Sequence, residues 1–226
     1  MKFTYYGHSC FSVEAAGVHV LFDPFITANP LASAIDIQQI PADYILLSHG
    51  HSDHILDTEA IALRTGAVVI ASYEVHEWLN QRGVTQTHPM NTGGKRNFGP
   101  LTVKCVVAHH SSSLPDGTYG GNPMGFLIEL GGTSFYYSGD TSLTLDMQLI
   151  PAWMQPSFAV MPIGDNFTMG LQDALKACEF CKTTQLIGVH FNTFGYITID
   201  EAGSVAMARE AGIKLILPRI GETLDL

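Results

Sequence analysis

His49-Gly50-His51-Ser52-Asp53-His54 places three imidazoles and a carboxylate within six consecutive residues, directly after the apolar run at 44–48. In an extended segment, residues i and i+2 point the same way, so His49 and His51 can grip one ion together. A helical stretch expected from residue 55 to about residue 65 then swings Asp53 and His54 towards a second position. Gly50 and Ser52 are small and leave the space between the donors clear. Neutral imidazole and carboxylate both bind borderline divalent ions at roughly 2.0–2.2 Å. One or two histidines in a turn would mean little. Four donors at the exit of a buried strand read as a metal site.

Other apolar runs end the same way. Asp23 follows the run at 18–22, His110 the run at 101–108 and Asp140 the run at 133–138, while His190 closes the run at 186–189. Polar ligand-type residues at strand exits converge on the rim of a sheet, where water and substrate enter. Short alternating or apolar runs at 2–6, 10–14, 18–22, 44–48, 68–71, 84–89, 101–108, 125–130, 133–138, 158–161, 186–190 and 214–217 read as strands. Residues 74–81, 171–181 and 199–211 read as helices. Hairpins come early in each half of the chain and helices late. This pattern predicts an α+β fold, two mixed sheets packed face to face with helices outside, in a single domain spanning residues 1–226.

Composition bounds the function. Hydrophobic residues make up 46% of the 226 and charged residues 14%, which excludes disorder and requires a large core. The net charge is −10, from 21 acidic and 11 basic residues, with no basic run. Nucleic-acid partners and polybasic membrane docking are therefore unexpected. A small-molecule substrate is expected, and a homo-oligomer is left open. No apolar leader or membrane span is visible, and the four cysteines form no framework, which fits a reduced, cytoplasmic protein. Cys178 and Cys181 sit on one face of the 171–181 helix, where packing is the expected role.

The string His-x-His-x-Asp-His, followed by His110, Asp140 in Ser138-Gly139-Asp140-Thr141 and His190 in Gly188-Val189-His190-Phe191-Asn192, resembles the signature of the metallo-β-lactamase-fold superfamily. Its architecture is a four-layer αββα sandwich. Gly7-His8-Ser9-Cys10-Phe11, His110-Ser111-Ser112-Ser113 and His190-Phe191-Asn192-Thr193-Phe194 resemble, more narrowly, a small prokaryotic branch of metal-dependent hydrolases related to the ascorbate-phosphate lactonases. The resemblance implies that His49, His51 and His110 hold one ion, that Asp53, His54 and His190 hold a second, and that Asp140 bridges them. Two divalent ions are then expected, from among Zn, Mn, Fe and Ni, with Zn or Mn favoured. In such hydrolases the ions lie about 3.5–4 Å apart and share a hydroxide nucleophile. Asp53 would orient that hydroxide and later take its proton. Many β-lactamases of the superfamily carry Cys where Asp140 stands, and its flavodiiron branch has Glu in the place of His51. Both departures point to hydrolysis of other substrates.

Neighbouring residues complete the expected site. The resemblance makes His8 a contact of the centre or an acid. Asp23 and Asp57 are candidates to orient metal-bound imidazoles. Asp165 follows a strand, and Asn192 and Thr193 could donate to a substrate oxyanion. His110 rather than His109 should face the metals. Loops at 25–41, 91–100 and 114–123 are expected to shape the pocket; 114–123 is Gly-rich and mobile, and 91–100 reads as a connection between strands whose Lys95 and Arg96 fit a solvated turn better than an anion contact. The leading reading is a dinuclear hydrolase of an ester-like bond, lactone or phosphodiester. The alternatives are a thioesterase on the same centre and a non-catalytic metal-binding scaffold. A degenerate scaffold should have lost ligands, and all seven are present.

Overall fold

The computed structural model describes residues 1–226 as two seven-stranded mixed sheets packed face to face, with helices on both outer surfaces. The first sheet contains β1 (Lys2–Gly7), β2 (Cys10–Ala15), β3 (Val18–Phe22), β4 (Tyr44–Leu46), β5 (Val68–Ala71) and β6 (Thr87–Pro89). The second contains β7 (Lys95–Phe98), β8 (Leu101–Val107), β9 (Met124–Leu130), β10 (Thr133–Tyr137), β11 (Phe158–Pro162), β12 (Gln185–Val189) and β13 (Lys214–Ile216). A last strand, β14 (Thr223–Asp225), returns to the first sheet and pairs antiparallel with β1. The helices are α1 (Ser52–Ile55), α2 (Thr58–Thr65), α3 (Tyr73–Gln81), α4 (Ile150–Trp153), α5 (Leu171–Cys181) and α6 (Glu201–Glu210).

Each half opens as an antiparallel meander and continues as parallel strands, giving the orders β14-β1-β2-β3-β4-β5-β6 and β13-β12-β11-β10-β9-β8-β7. The inner core is aromatic. Phe3 stacks on Phe11 at 4.8 Å and Phe11 on Phe22 at 4.4 Å, while Tyr137 from the second sheet meets both Phe11 and Phe22 edge-on. Strands buried on both faces explain the unbroken apolar runs. Phe135 and Tyr137 face the other sheet, whereas Tyr136 between them packs under α4 and α5 with Met147, Ile150 and Cys181. Both Cys178 and Cys181 are fully buried in that outer layer, so their spacing serves packing. No helix is long and apolar enough to cross a membrane.

Strand polarity decides where the ligands meet. β1 and β3 are both antiparallel to β2, and β4 is parallel to β3, so β1, β3 and β4 all end at one edge of their sheet. In the second sheet β8 and β10 flank β9 antiparallel, and β11 and β12 follow in parallel, so β8, β10 and β12 also share one edge. These two edges lie together. Backbone bonds from Met124 N to Ser48 O (3.0 Å) and from His190 N to His8 O (2.8 Å) join the sheets there.

Several boundaries differ from expectation for local reasons. The 55–65 helix is two pieces, starting at Ser52 and broken before Thr58, because Asp57 gives its N–H to Pro24 O and its carboxylate to the neighbouring loop. Residues 91–100 hold the edge strand β7, which pairs with β8 through Lys95–Phe98. The final helix starts at Glu201 because Asp200 caps it, accepting from Gly203 N at 3.0 Å. Truncating Phe11 removes a ring that contacts both sheets. Phe11→Ala is expected to cost about 3–5 kcal/mol, read as a lower urea midpoint, and a shift under 1 kcal/mol would contradict this account of the core.

Candidate metal centre

The shared edge collects the donors in two separate groups and a third, His49, His54 and Asp140, that links them. His49 Nε2 and His51 Nδ1 lie 2.8 Å apart, and His110 completes a set whose donor atoms all lie within 4.8 Å of one another. Asp53, His54, His190 and His8 form the second set within the same limit. Asp140 stands between them. Its Oδ2 is 3.0 Å from His190 Nε2, 3.2 Å from His54 Nε2 and 3.7 Å from His110 Nε2. The tight turn carrying Asp140 requires glycine before it. Gly139 has φ +59°, and a Cβ there would lie 2.7 Å from the Ser48 side chain and 2.9 Å from Met124 O.

Behind the ligands, the fully buried Asp23 fixes the imidazole tautomers. Its Oδ1 accepts from Ser48 N at 2.7 Å, and its Oδ2 accepts from Ser48 Oγ (2.6 Å), Tyr137 OH (2.5 Å) and His54 Nδ1 (2.8 Å). A carboxylate only accepts, so His54 carries its proton on Nδ1 and turns Nε2 towards the ligand cluster. Ser48 has given its hydroxyl proton to Asp23, so at 2.9 Å it accepts from His49 Nδ1, which leaves the His49 Nε2 lone pair facing His51. One buried carboxylate therefore sets the tautomer of a ligand in each group.

The electrostatics suit cations. Burial lowers the pKa of His49, His51 and His110, which keeps their lone pairs free. Burial also opposes a charge on His54, yet Asp140, Asp53 and Asp23 together raise its pKa well above the ordinary value. Burial opposes ionisation of Asp53 and Asp140 too. His54 and the His8 hydrogen bond hold Asp53 far below the carboxylate range, and His190 with His54 does the same for Asp140. A pocket that draws a proton onto a fully buried imidazole favours positive charge at that point. Asp140 Oδ1 is buried without a hydrogen-bond partner, and the buried His54 Nε2 meets only the Asp140 and Asp53 carboxylates of the cluster, as expected of donors arranged for metal ions. The residues present fit divalent ions.

His8, in the β1–β2 turn with φ +55°, reaches Asp53 Oδ2 through Nε2 at 3.0 Å and Thr193 Oγ1 through Nδ1 at 3.0 Å. Burial, with His190 beside it, pushes its pKa down to about 4. As a neutral ring it donates from Nε2–H to Asp53 and accepts from the Thr193 hydroxyl. Thr193 thus positions His8. His109 points outward, exposed, while His110 faces the centre.

Three expected site residues lie elsewhere. Asp57 does not approach the imidazoles: it accepts from Ile26 N (2.6 Å), Thr27 N (2.9 Å) and Thr27 Oγ1 (2.5 Å), bracing the loop after β3. Asn192 is turned away from any oxyanion, donating to Glu201 Oε1 at 2.9 Å and accepting from Ile199 N at 2.9 Å. Asp165 is exposed and closes its own loop, where its side chain accepts from Asn166 N at 2.8 Å and its N–H donates to Met169 O at 3.1 Å. The 114–123 loop packs on α3, where Trp78 Nε1 donates to Asp116 Oδ2 at 2.7 Å, and it does not line the cavity over the ligands. Ser48 and Tyr137 went unnoticed in the sequence. A hydroxyl directly before His49 was the only local signal for the first, and nothing local marked the second.

A family model described as "Beta-lactamase superfamily domain" matches residues 19–191. A UPF0173 metal-dependent hydrolase from Flavobacterium johnsoniae is 48% identical over 226 residues, covering all of both chains. Among solved structures, Igni18, a metallo hydrolase from Ignicoccus hospitalis, superposes with TM-score 0.89 at 34% identity, over 99% of this chain and 97% of that one. An isothiocyanate hydrolase from Delia radicum gut bacteria shares the fold, with TM-score 0.80 at 19% identity over 100% and 99% of the two chains. The chain belongs to the beta-lactamase superfamily and, within it, to the UPF0173 metal-dependent hydrolases.

Replacing Asp23 tests the relay. Asp23→Asn should weaken metal binding by about 10–100-fold, measured by competition with a chromophoric chelator on folded protein. Unchanged affinity would remove Asp23 from the account.

Proposed function

We propose that this chain hydrolyses an ester-like bond, a lactone or a phosphodiester, in a small molecule at a centre of two divalent ions. The observation that carries this reading is the pair of ligand sets on either side of Asp140, at the floor of a cavity of about 720 Å³. His49, His51 and His110 would hold one ion; Asp53, His54 and His190 would hold the other, and Asp140 would serve both. Mixed imidazole and carboxylate donors favour Zn or Mn. Bound there, the ions would polarise the substrate oxygen and make water nucleophilic near neutral pH.

The chain's own groups account for the proton transfers. Asp53 faces the cavity with its side chain 28% exposed, so it can orient water and accept a proton. His8 stands behind it at 3.0 Å, held by Thr193, and its Nε2–H orients Asp53, which itself takes the proton from water and can hand it to the leaving group across the cavity. Asp140 is almost fully buried and stays a ligand.

Metal-replete protein should contain two ions per chain by elemental analysis, and fewer than one would remove the dinuclear centre. His51→Ala should abolish turnover across a panel of lactones, phosphodiesters and thioesters. Wild-type rates in that variant would sink the mechanism, and turnover of thioesters alone would favour the thioesterase. His8→Ala should lower kcat by about 10²-fold or more, with metal content retained.

A further inference from the structure

Four aromatic rings line the cavity above the ligands: Phe25, Phe167, Phe194 and Tyr196. They form two tiers. Phe25 and Phe194 meet His8 edge-on at centroid distances of 5.5 and 5.2 Å, beside the reacting end. Phe167 and Tyr196 pair at 6.1 Å nearer the mouth, where they are 51% and 78% exposed. Folding does not require these outer rings, because neither enters a core cluster. Exposed aromatic surface continuous with a ligand-lined cavity marks a binding surface.

The loops that carry the rings are braced. Asp57 braces the loop that carries Phe25, Asp165 closes the loop that carries Phe167, and Asn192 ties down the segment carrying Phe194 and Tyr196. A wall set before binding spends little entropy in ordering itself around a ligand. The wall also lacks countercharge. None of the chain's Lys or Arg residues lines the cavity: Lys95 belongs to a separate depression along β7 and β8, and Arg219 to another behind His8. Any anion must therefore be met at the metal centre, and a second negative group further up the cavity would find ring faces beside Ser52, Ser111 and Gly195 but no countercharge.

We infer that the aromatic wall selects the substrate, so that the site takes small molecules whose portion remote from the scissile bond is an uncharged aryl or alkyl group. Phosphorylated or otherwise doubly anionic substrates are disfavoured. This deepens the hydrolase reading and rests on it for the reaction, but the wall can be tested without turnover. Butyrate, glutarate and 4-phenylbutyrate offer the same carboxylate head with a hydrogen, a second charge or a phenyl ring at the remote end. Binding to metal-replete protein is measured by calorimetry, with melting temperature as the check on folding.

The expected result is 4-phenylbutyrate binding at least tenfold more tightly than butyrate, with no gain for glutarate. The advantage should fall below threefold in a Phe194→Ala/Tyr196→Ala protein that melts like wild type. A wild-type advantage below threefold, preference for glutarate, or an advantage that survives the double substitution would overturn the inference. If the aromatic preference holds while no ester, lactone, phosphodiester or thioester is hydrolysed, the proposed reaction fails and the wall stands.

Discussion

The Asp23 carboxylate is the constraint on which the rest of the site depends. A fully buried charge is costly unless hydrogen bonds surround it, and here four donors do so. They come from the backbone and hydroxyl beyond β4, the imidazole of α1 and the phenol of β10. Meeting this one charge locks the two sheets together at their ligand-bearing edges. The same bonds determine which nitrogen of His49 and His54 faces the ligand cluster. Stability and metal chemistry thus draw on the same hydrogen bonds.

Strand direction supplies the second requirement. Seven donors from four separate segments converge because every strand that feeds the centre ends at the same edge. Loops at such an edge are free to vary while the strands hold the candidate donors in place. The imidazoles and carboxylates belong to strand exits and to the start of α1. The aromatic rings belong to the loops beyond them, and polar side chains that accept from backbone N–H groups brace those loops.

That division explains why the structure gathers the seven expected donors at one edge but places Asp57, Asp165 and Asn192 elsewhere. All three are polar residues close in sequence to ligands or strand exits, and proximity made them candidates for contact with the metals. Their carboxylate and amide groups are instead used on nearby backbone N–H groups. Neither spacing nor residue type separates a carboxylate that orients an imidazole from one that braces a loop. The difference lies in which donors the folded chain brings within about 3 Å.

The sequence by itself pointed to the sandwich, its meander-then-parallel halves and the seven candidate donors. Hydrophobic period and the placement of polar residues at strand exits are local properties, and a donor string this dense has few other uses. Only the tertiary structure decided the joining of β14 to β1, the pairing of His8 with Asp53, the role of Ser48 and Tyr137 around Asp23, and the gathering of Phe25, Phe167, Phe194 and Tyr196 over one cavity. Each of these joins residues far apart in the chain through contacts only a few ångströms long. No local pattern records such contacts, because they exist only once the two edges have met.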